Sequence, residues 1–235
     1  MLNPPPRIPD GKKALIVFGF VTRTVETALS VRLLTDHTPP LIEDASALVR
    51  ILTESVINAA FIAVSDETMA DRYDAWGDYL EGKQEGWTLE AFPKATTEEQ
   101  AEAIAAIDRM QNDASKEFPD FTKQRGLDFW KHLPDRAKVI DDYLGQREFA
   151  MLHETWRSLS NYVHQNAIAL HQRIIEDRRG ITIGRTYTDG DAARVLLACN
   201  ESLIALCMVL DWFYCDKAHA AEWDRVSRSF RPYLY

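Results

Sequence analysis

The chain is poor in cysteine, and the few cysteines that it has cannot hold a metal ion together. Only three occur in 235 residues, and Cys199, Cys207 and Cys215 follow one another at intervals of eight within one predicted helix. Because a helix turns by about 100° per residue, their side chains point in three directions. The sequence therefore excludes a disulfide scaffold and predicts reduced thiols in a cytoplasmic protein.

Long uninterrupted apolar runs and common catalytic motifs are also missing. The apolar run from Ala14 to Val21 is much shorter than the roughly 20 residues that cross a bilayer, so we predict no membrane partner. The sequence contains no Gly-rich phosphate loop, His-Glu-x-x-His, Cys-x-x-Cys or Gly-x-Ser-x-Gly pattern. We accordingly expect no cofactor and no metal ion.

Negative charge is concentrated in one segment. The chain has 36 acidic and 27 basic residues, for a net charge of −9. Residues 66–120 contain 15 of the acids and only 5 of the bases, so the rest of the chain is nearly neutral. The acidity disfavours general electrostatic binding of nucleic acid, although the neutral remainder leaves room for a local basic pocket. The segment itself is either a solvated helix face or a surface for a protein partner.

Apolar residues recur with helical periodicity along most of the chain, and proline and glycine separate the periodic segments. We predict an all-α bundle of six to eight helices, forming a single domain over residues 1–235. Residues 66–120 are expected to form a protruding acidic helical hairpin. The second helix is the most apolar, with Leu48, Ile51 and Leu52 on one face and Ile57 and Phe61 on the other, so we expect it to be covered on both sides.

The sequence also predicts where the loops and the individual helices lie. Loops are expected at residues 82–94, which contain Gly86 and Pro93, and at residues 180–190, which could instead form a short hairpin arm. The predicted helices span residues 14–35, 43–64, 66–80, 97–116, 134–144, 147–177, 191–215 and 219–230.

The longest predicted helix carries a polar stripe about 120° away from its core face. The stripe consists of Arg157, Ser160, Asn161, His164 and His171. Histidine transfers protons near neutral pH, and arginine binds phosphate through two parallel hydrogen bonds. The stripe therefore predicts a site in a groove between helices. Alternatively, its charged members pair with carboxylates on neighbouring helices and only fix the bundle.

A second polar cluster lies on the apolar second helix, where Arg50, Glu54 and Asn58 follow one another at intervals of four residues. Burying such groups without partners costs several kcal/mol, so we expect partners on other helices. Arg157 and His164 are the candidate partners of Glu54. The same residues could instead form a buried network that only sets the register between helices.

Three segments match a pattern of helical motifs. They are Thr22-Arg23-Thr24 in the first helix, a Leu-x-Arg-x-Leu-x-Glu pattern from Leu48 to Glu54, and a run from Trp156 to His164. The last run is similar to Tyr-Arg-x-Leu-Ser-x-x-Val-His, with tryptophan in the place of tyrosine. In these motifs the chain resembles a bacterial all-helical family of unknown function, over about residues 14 to 215 but without the acidic segment 66–120.

The spacing Arg157-x6-His164 also resembles the signature of the HEPN superfamily of helical ribonucleases and nucleotide-binding domains. This resemblance implies metal-independent cleavage of RNA, with His164 as general acid or base and Arg157 on the phosphate. It also implies a homodimer, and the apolar helix at 191–215 and the aromatic segment 230–235 favour self-association too. The chain differs from the nuclease signature at Ser158, where these enzymes commonly carry Asn, Asp or His.

Two functions follow from the sequence. In the first, the chain is an endoribonuclease, a toxin or antiviral effector, and the polar stripe is exposed in a cleft. In the second, it is a non-catalytic helical sensor or scaffold in which Arg50, Glu54, Arg157 and His164 form a buried network. Residues 66–120 would then bind a protein partner.

Overall fold

The computed structural model describes residues 11–91, 97–118, 132–163, 174–177, 180–183 and 189–230. Over these ranges the chain forms eight α-helices and one antiparallel pair of strands, so the predicted all-α class is confirmed with a small hairpin added. The helices are α1 (Lys12–Thr35), α2 (Ile42–Val64), α3 (Glu67–Ala91), α4 (Thr97–Glu117), α5 (Leu133–Leu144), α6 (Glu148–Val163), α7 (Asp189–Tyr214) and α8 (Ala220–Phe230), and the strands are β1 (Ile174–Asp177) and β2 (Gly180–Ile183).

The chain divides into two compact units. One unit runs from Ser65 to His132, and the other combines the residues before and after it. Within the first unit α3 packs against α4. Its small core is formed by buried Phe118 and Ala114, with Trp76 and Tyr79 packed against them.

Helix α2 is the centre of the second unit, since α1, α5, α6 and α7 all pack against it. Its buried positions are mostly apolar and include Val49, Leu52, Val56, Ile57, Phe61 and Ile62, with the buried polar residues Ser46, Thr53 and Ser55 among them. Burial of both Leu52 and Ile57 confirms that the helix is covered on both sides. Ile51 was expected in the core but is 37% exposed, because it lies on the strip of α2 that carries the charged side chains of Arg50 and Glu54.

The longest predicted helix is shorter than expected. Helix α6 is described only to Val163, and Ile174 to Asp177 form strand β1, so the prediction of helix through residue 177 is wrong at its end. Ile174 pairs with Ile183 on β2. The β-branched residues on both strands favour the extended conformation, and this pairing outweighs the helical pattern. The hairpin arm considered at residues 180–190 is therefore present, with β1 as its first strand.

The loop predicted at residues 82–94 is also wrong over most of its length. Helix α3 continues through Gly82 and Gly86 to Ala91. A glycine inside a helix costs only about 1 kcal/mol relative to alanine, which helical hydrogen bonding over the flanking turns can outweigh.

Three helices are long and apolar enough to cross a membrane by length and composition, among the residues that were described. They are α1, α2 and α7. The most apolar stretch of α2 is 61% buried, compared with 22% for α1 and 33% for α7. The high hydropathy of α2 is thus explained by its central position in the fold. Helices α1 and α7 leave a larger share of their apolar stretches unburied.

Candidate functional site

Helix α6 carries the described part of the polar stripe, and a buried carboxylate fixes its start. The Asp141 side chain accepts hydrogen bonds from the backbone N–H groups of Phe149, at 3.0 Å, and Ala150, at 2.8 Å. Burial raises the pKa of Asp141 above its ordinary value in spite of these two bonds. Since these N–H groups have no partner inside the helix, the carboxylate caps α6 and ties it to α5.

The apolar face of α6 packs into the core as its periodicity predicts. Phe149, Leu152 and Leu159 are buried, while Trp156 on the same face is only half-buried. Trp156 therefore marks the edge of the core, next to the polar stripe. This placement brings Ser160 of the stripe beside the charged strip of α2.

Arg50 and Glu54 do find partners on another helix, as the cost of burying them predicts. Arg50 donates from Nε to Oγ of Ser160 over 2.9 Å, and its guanidinium lies 4.6 Å from the centre of the Trp156 ring. Trp156 in turn donates from Nε1 to Oε2 of Glu54 over 3.2 Å. Four side chains, two on α2 and two on α6, thus form one polar network, which we call the Trp156 network.

Two further contacts hold the α6 side of the Trp156 network in place. Ser160 donates its hydroxyl proton to the carbonyl oxygen of Trp156 over 2.9 Å, which leaves an oxygen lone pair for Arg50. The imidazole of His153 stacks on the indole of Trp156, with ring centres 5.8 Å apart and planes 21° from parallel. Sequence reasoning missed Trp156 and His153 as polar contacts, although an indole N–H at the edge of an apolar face needs an acceptor.

Arg157 lies outside the Trp156 network. Its Nη2 atom is 2.6 Å from Oε2 of Glu154 on the same helix, and its side chain is 71% exposed. The expectation that Arg157 pairs with Glu54 is therefore wrong, because the tryptophan next to it takes that place. The Arg157 side chain therefore points to solvent.

Asn58 belongs to a different contact. Its Oδ1 accepts a hydrogen bond from Nη1 of Arg136 on α5, and Arg136 is buried. This places Asn58 at the contact of α2 with α5. The structure does not bring it together with Arg50 and Glu54.

The side chains of three residues of the predicted stripe lie outside the part of the chain that the structure describes. His164 and His171 lie outside the described residues, and for Asn161 the structure gives the helical backbone of α6 alone. Their predicted roles stay predictions. Within the described part of the chain, no group of three or more His, Cys, Asp or Glu side chains could hold a metal ion.

Helix α7 contributes buried polar groups behind the site but no reactive thiol. The hydroxyls of Thr53 on α2 and Ser202 on α7 lie 3.0 Å apart and share a hydrogen bond. Burial raises the pKa of Cys199 to about 11 and also raises that of Cys207. Both thiols therefore stay protonated at neutral pH, which argues against nucleophilic roles for them.

Comparison with known proteins gives one informative result. No curated protein and no solved structure shows a significant match to the chain. A family model described as a family of unknown function, DUF5677, matches residues 14–181. This range includes the Trp156 network, Arg157 and the acidic segment, and it confirms the resemblance to an all-helical family of unknown function. The chain belongs to the DUF5677 family.

Proposed function

We propose that the protein is a HEPN-like endoribonuclease that cleaves RNA without a metal ion and acts as a toxin or antiviral effector. The observation that carries the proposal is the exposure of Arg157 on a helix that is fixed at two points. Asp141 caps the start of α6, and Arg50 binds Ser160 near its end. A phosphate-binding arginine needs both a fixed backbone and access to solvent.

Arg157 has the chemistry to bind a phosphodiester. Its guanidinium can donate two parallel hydrogen bonds to phosphate oxygens. The ion pair with Glu154 is exposed on both sides, and such pairs contribute at most about 1 kcal/mol, so a phosphate can displace it. His164 follows seven residues later, which on a continuous helix is about 10 Å along the axis. Both long side chains could then reach the same nucleotide.

The proposed reaction is an internal transesterification. The ribose 2′-oxygen attacks phosphorus, an O2′–P bond forms and the P–O5′ bond breaks. His164 either accepts the 2′-hydroxyl proton or donates a proton to the departing 5′-oxygen, and water serves for the other transfer. Arg157 stabilises the charge on the phosphorane oxygens. The products are a 2′,3′-cyclic phosphate and a 5′-hydroxyl, with no oxidation and no water consumed.

The Trp156 network has a positioning role in this proposal. Arg50 and Glu54 touch α6 through Ser160 and Trp156, the residues three positions after and one position before Arg157. Holding them fixes the rotation of α6 about its axis and thereby the direction of the Arg157 side chain. Asn161 and His171 remain candidate supports on the same stripe.

The proposal is tested by incubating the purified protein with a labelled structured RNA in excess chelator. We expect cleavage by the wild type, and losses of about 10²-fold or more for His164→Ala and Arg157→Ala, the usual range for groups of this kind. Arg194→Ala removes another exposed arginine, on α7, and should cleave at the wild-type rate. An inactive wild type, or equal cleavage by all four proteins, would contradict the proposal.

A second candidate function is supported by the separate acidic unit. Helices α3 and α4 belong to a separate compact unit. Its exposed carboxylates include Asp66, Glu67, Asp74, Asp78, Glu81, Glu98, Glu99, Glu102, Asp108, Asp113 and Glu117. In this alternative the chain is a sensor or scaffold that binds a basic protein surface through residues 66–120. Burial of Arg157, which this alternative assumed, is not found.

The alternative is tested by reversing charge on one helix. Glu98, Glu99 and Glu102 of α4 are exposed, so their replacement by lysine should leave the helical circular dichroism unchanged. A partner that the wild type retains from its native cell extract and the triple variant loses would support binding through this segment. Identical retained proteins in the two samples would contradict it.

A further inference from the structure

Helix α1 has one buried face and one face with large exposed apolar side chains. Leu15 is 62% exposed, Leu29 60% and Leu33 73%, and Val25 is 48% exposed beside them. The opposite face packs on α2 and buries Ala14, Val17, Thr24, Val31 and Thr35. Isolated apolar residues on a surface are ordinary, but several along one helix indicate a contact surface.

The exposed face of α1 follows a seven-residue repeat. Leu15, Thr22 and Leu29 recur at intervals of seven, and a second series begins four residues later. Together the two series comprise Leu15, Gly19, Thr22, Glu26, Leu29 and Leu33, all of them exposed. Alternating steps of four and three residues describe the seam of a two-stranded coiled coil.

We propose that this seam is where a second copy of the chain docks, with the two α1 helices antiparallel about a two-fold axis level with Thr24. The pairing places Leu15 opposite Leu33 of the second copy, and Gly19 opposite Leu29 of the second copy. Gly19 supports this register independently. A Cβ atom added at Gly19 would meet nothing within 4 Å, so the fold of one copy does not require glycine there. In the dimer the missing side chain leaves room for a leucine.

Two charges favour the antiparallel arrangement, Glu26 within the seam and Arg23 beside it. Arg23 and Glu26 are exposed near the middle of α1, and among the described residues neither side chain has an ion-pair or hydrogen-bond partner. A two-fold axis near Thr24 that relates antiparallel α1 helices brings Arg23 of each copy beside Glu26 of the other copy. A parallel pair would instead set like charges level with one another.

A second copy fits this face better than a lipid bilayer does. Helix α1 satisfies the length and hydropathy of a membrane span, but Arg23 and Glu26 would then lie at the bilayer midplane, where charged side chains are strongly disfavoured. The buried face of α1 is, in addition, occupied by α2. An antiparallel partner satisfies both charges and covers the leucines.

Sedimentation of the full-length chain tests the interface. We expect wild type to sediment as a particle of twice 26.8 kDa, and Leu29→Asp/Leu33→Asp to sediment as a monomer with unchanged circular dichroism. Leu80→Asp is the matched control, since Leu80 is a 45% exposed leucine on α3, and should stay dimeric. A monomeric wild type, or a double variant that stays dimeric, would overturn the proposal, as would flotation of wild type with phosphatidylcholine vesicles.

Cysteine cross-linking tests the direction of the helices. In a Cys215→Ser background, which removes the exposed thiol, we expect Leu15→Cys/Leu33→Cys to form a covalent dimer under mild oxidation. Leu15→Cys alone should not, because antiparallel pairing separates the two copies of residue 15 by 18 helical positions, about 27 Å. A disulfide requires Cα atoms about 4 to 7 Å apart. Cross-linking of the single variant would show a parallel pair and overturn the antiparallel arrangement. Neither assay depends on ribonuclease activity.

Discussion

Trp156 joins α2 to α6 through contacts with Arg50 and Glu54 in the middle of α2. Its ring faces the Arg50 guanidinium, and its N–H donates to Glu54. The indole thus takes the place of a direct ion pair between Arg50 and Glu54. Because a half-buried carboxylate that loses its donor is costly, the network should show measurable coupling.

The Trp156–Glu54 hydrogen bond is accessible to a double-mutant cycle. Trp156→Phe removes the donor and should cost about 1 to 3 kcal/mol, because Glu54 is left without it. Glu54→Leu removes the acceptor at a similar volume, so the double variant has neither the donor nor the acceptor. We expect a coupling energy of about 0.5 kcal/mol or more from urea unfolding of the four proteins. Additive effects would show that the bond contributes nothing to stability.

Asp141 should stabilise α6 through its two backbone hydrogen bonds. Asp141→Ala removes an N-terminal cap, which typically costs about 0.5 to 2 kcal/mol of unfolding free energy. Asp142→Ala is the matched control, since that neighbour is exposed, and should change stability by less than about 0.5 kcal/mol. Equal effects of the two substitutions in urea unfolding would rule out a capping role.

Glu201 gives a pH-dependent prediction. Burial raises its pKa above the ordinary value, so folding favours the protonated form. This contribution to stability is present below the unfolded-state pKa and is lost as the pH rises through the folded-state pKa. Glu201→Gln imitates the protonated form, and its stability relative to wild type should therefore increase from about pH 4 to about pH 7. A difference that is the same at both pH values would contradict the assignment.

Some residue contacts could be predicted from the sequence, and others could not. That Arg50 and Glu54 have partners on another helix follows from the cost of burying charge. Which partners they have depends on side-chain positions across two helices, and periodicity along one helix does not contain that information. The pairing of Arg157 with Glu154, one turn away, follows from helical spacing and could have been predicted from the sequence.

At the scale of elements, the helices with strong apolar periodicity could be predicted and the weakly patterned segments could not. Helices α1, α2, α5 and α7 occur within a few residues of their predicted bounds. The errors concern α3, which continues through two glycines, and β1, which was read as helix. In α3 the hydrogen bonds of the flanking helical turns outweigh the low helix propensity of glycine. In β1 the pairing with β2 outweighs the helical pattern of the sequence.

Glycine inside α3 provides an element-scale prediction. A Cβ atom at Gly77 would meet nothing within 4 Å, so Gly77→Ala should stabilise the chain by about 0.5 to 1 kcal/mol through helix propensity. Gly145 is the contrasting control, since its φ of 69° lies in the left-handed region, and Gly145→Ala should destabilise. Thermal unfolding compares the two, and a Gly77→Ala protein that unfolds earlier than wild type would contradict the prediction.

At the scale of the whole molecule, the acidic residues and the exposed Arg157 belong to different parts of the chain. The acidic residues are concentrated at 66–120, whereas Arg157 belongs to the nearly neutral remainder and faces solvent. A chain with net charge −9 gains little from non-specific attraction to RNA, so binding must come from local contacts. The proposed enzyme should accordingly bind RNA with a shallow salt dependence that Arg157→Ala reduces further.

The most direct test of the proposed function compares two labelled oligonucleotides of one sequence in excess chelator. One is RNA, and the other carries 2′-O-methyl groups throughout. We predict that the wild type cleaves only the RNA, leaving 2′,3′-cyclic phosphate ends, and that Arg157→Ala slows this cleavage by about 10²-fold. Cleavage of both oligonucleotides, or of neither, would contradict attack by the 2′-oxygen and with it the proposed function.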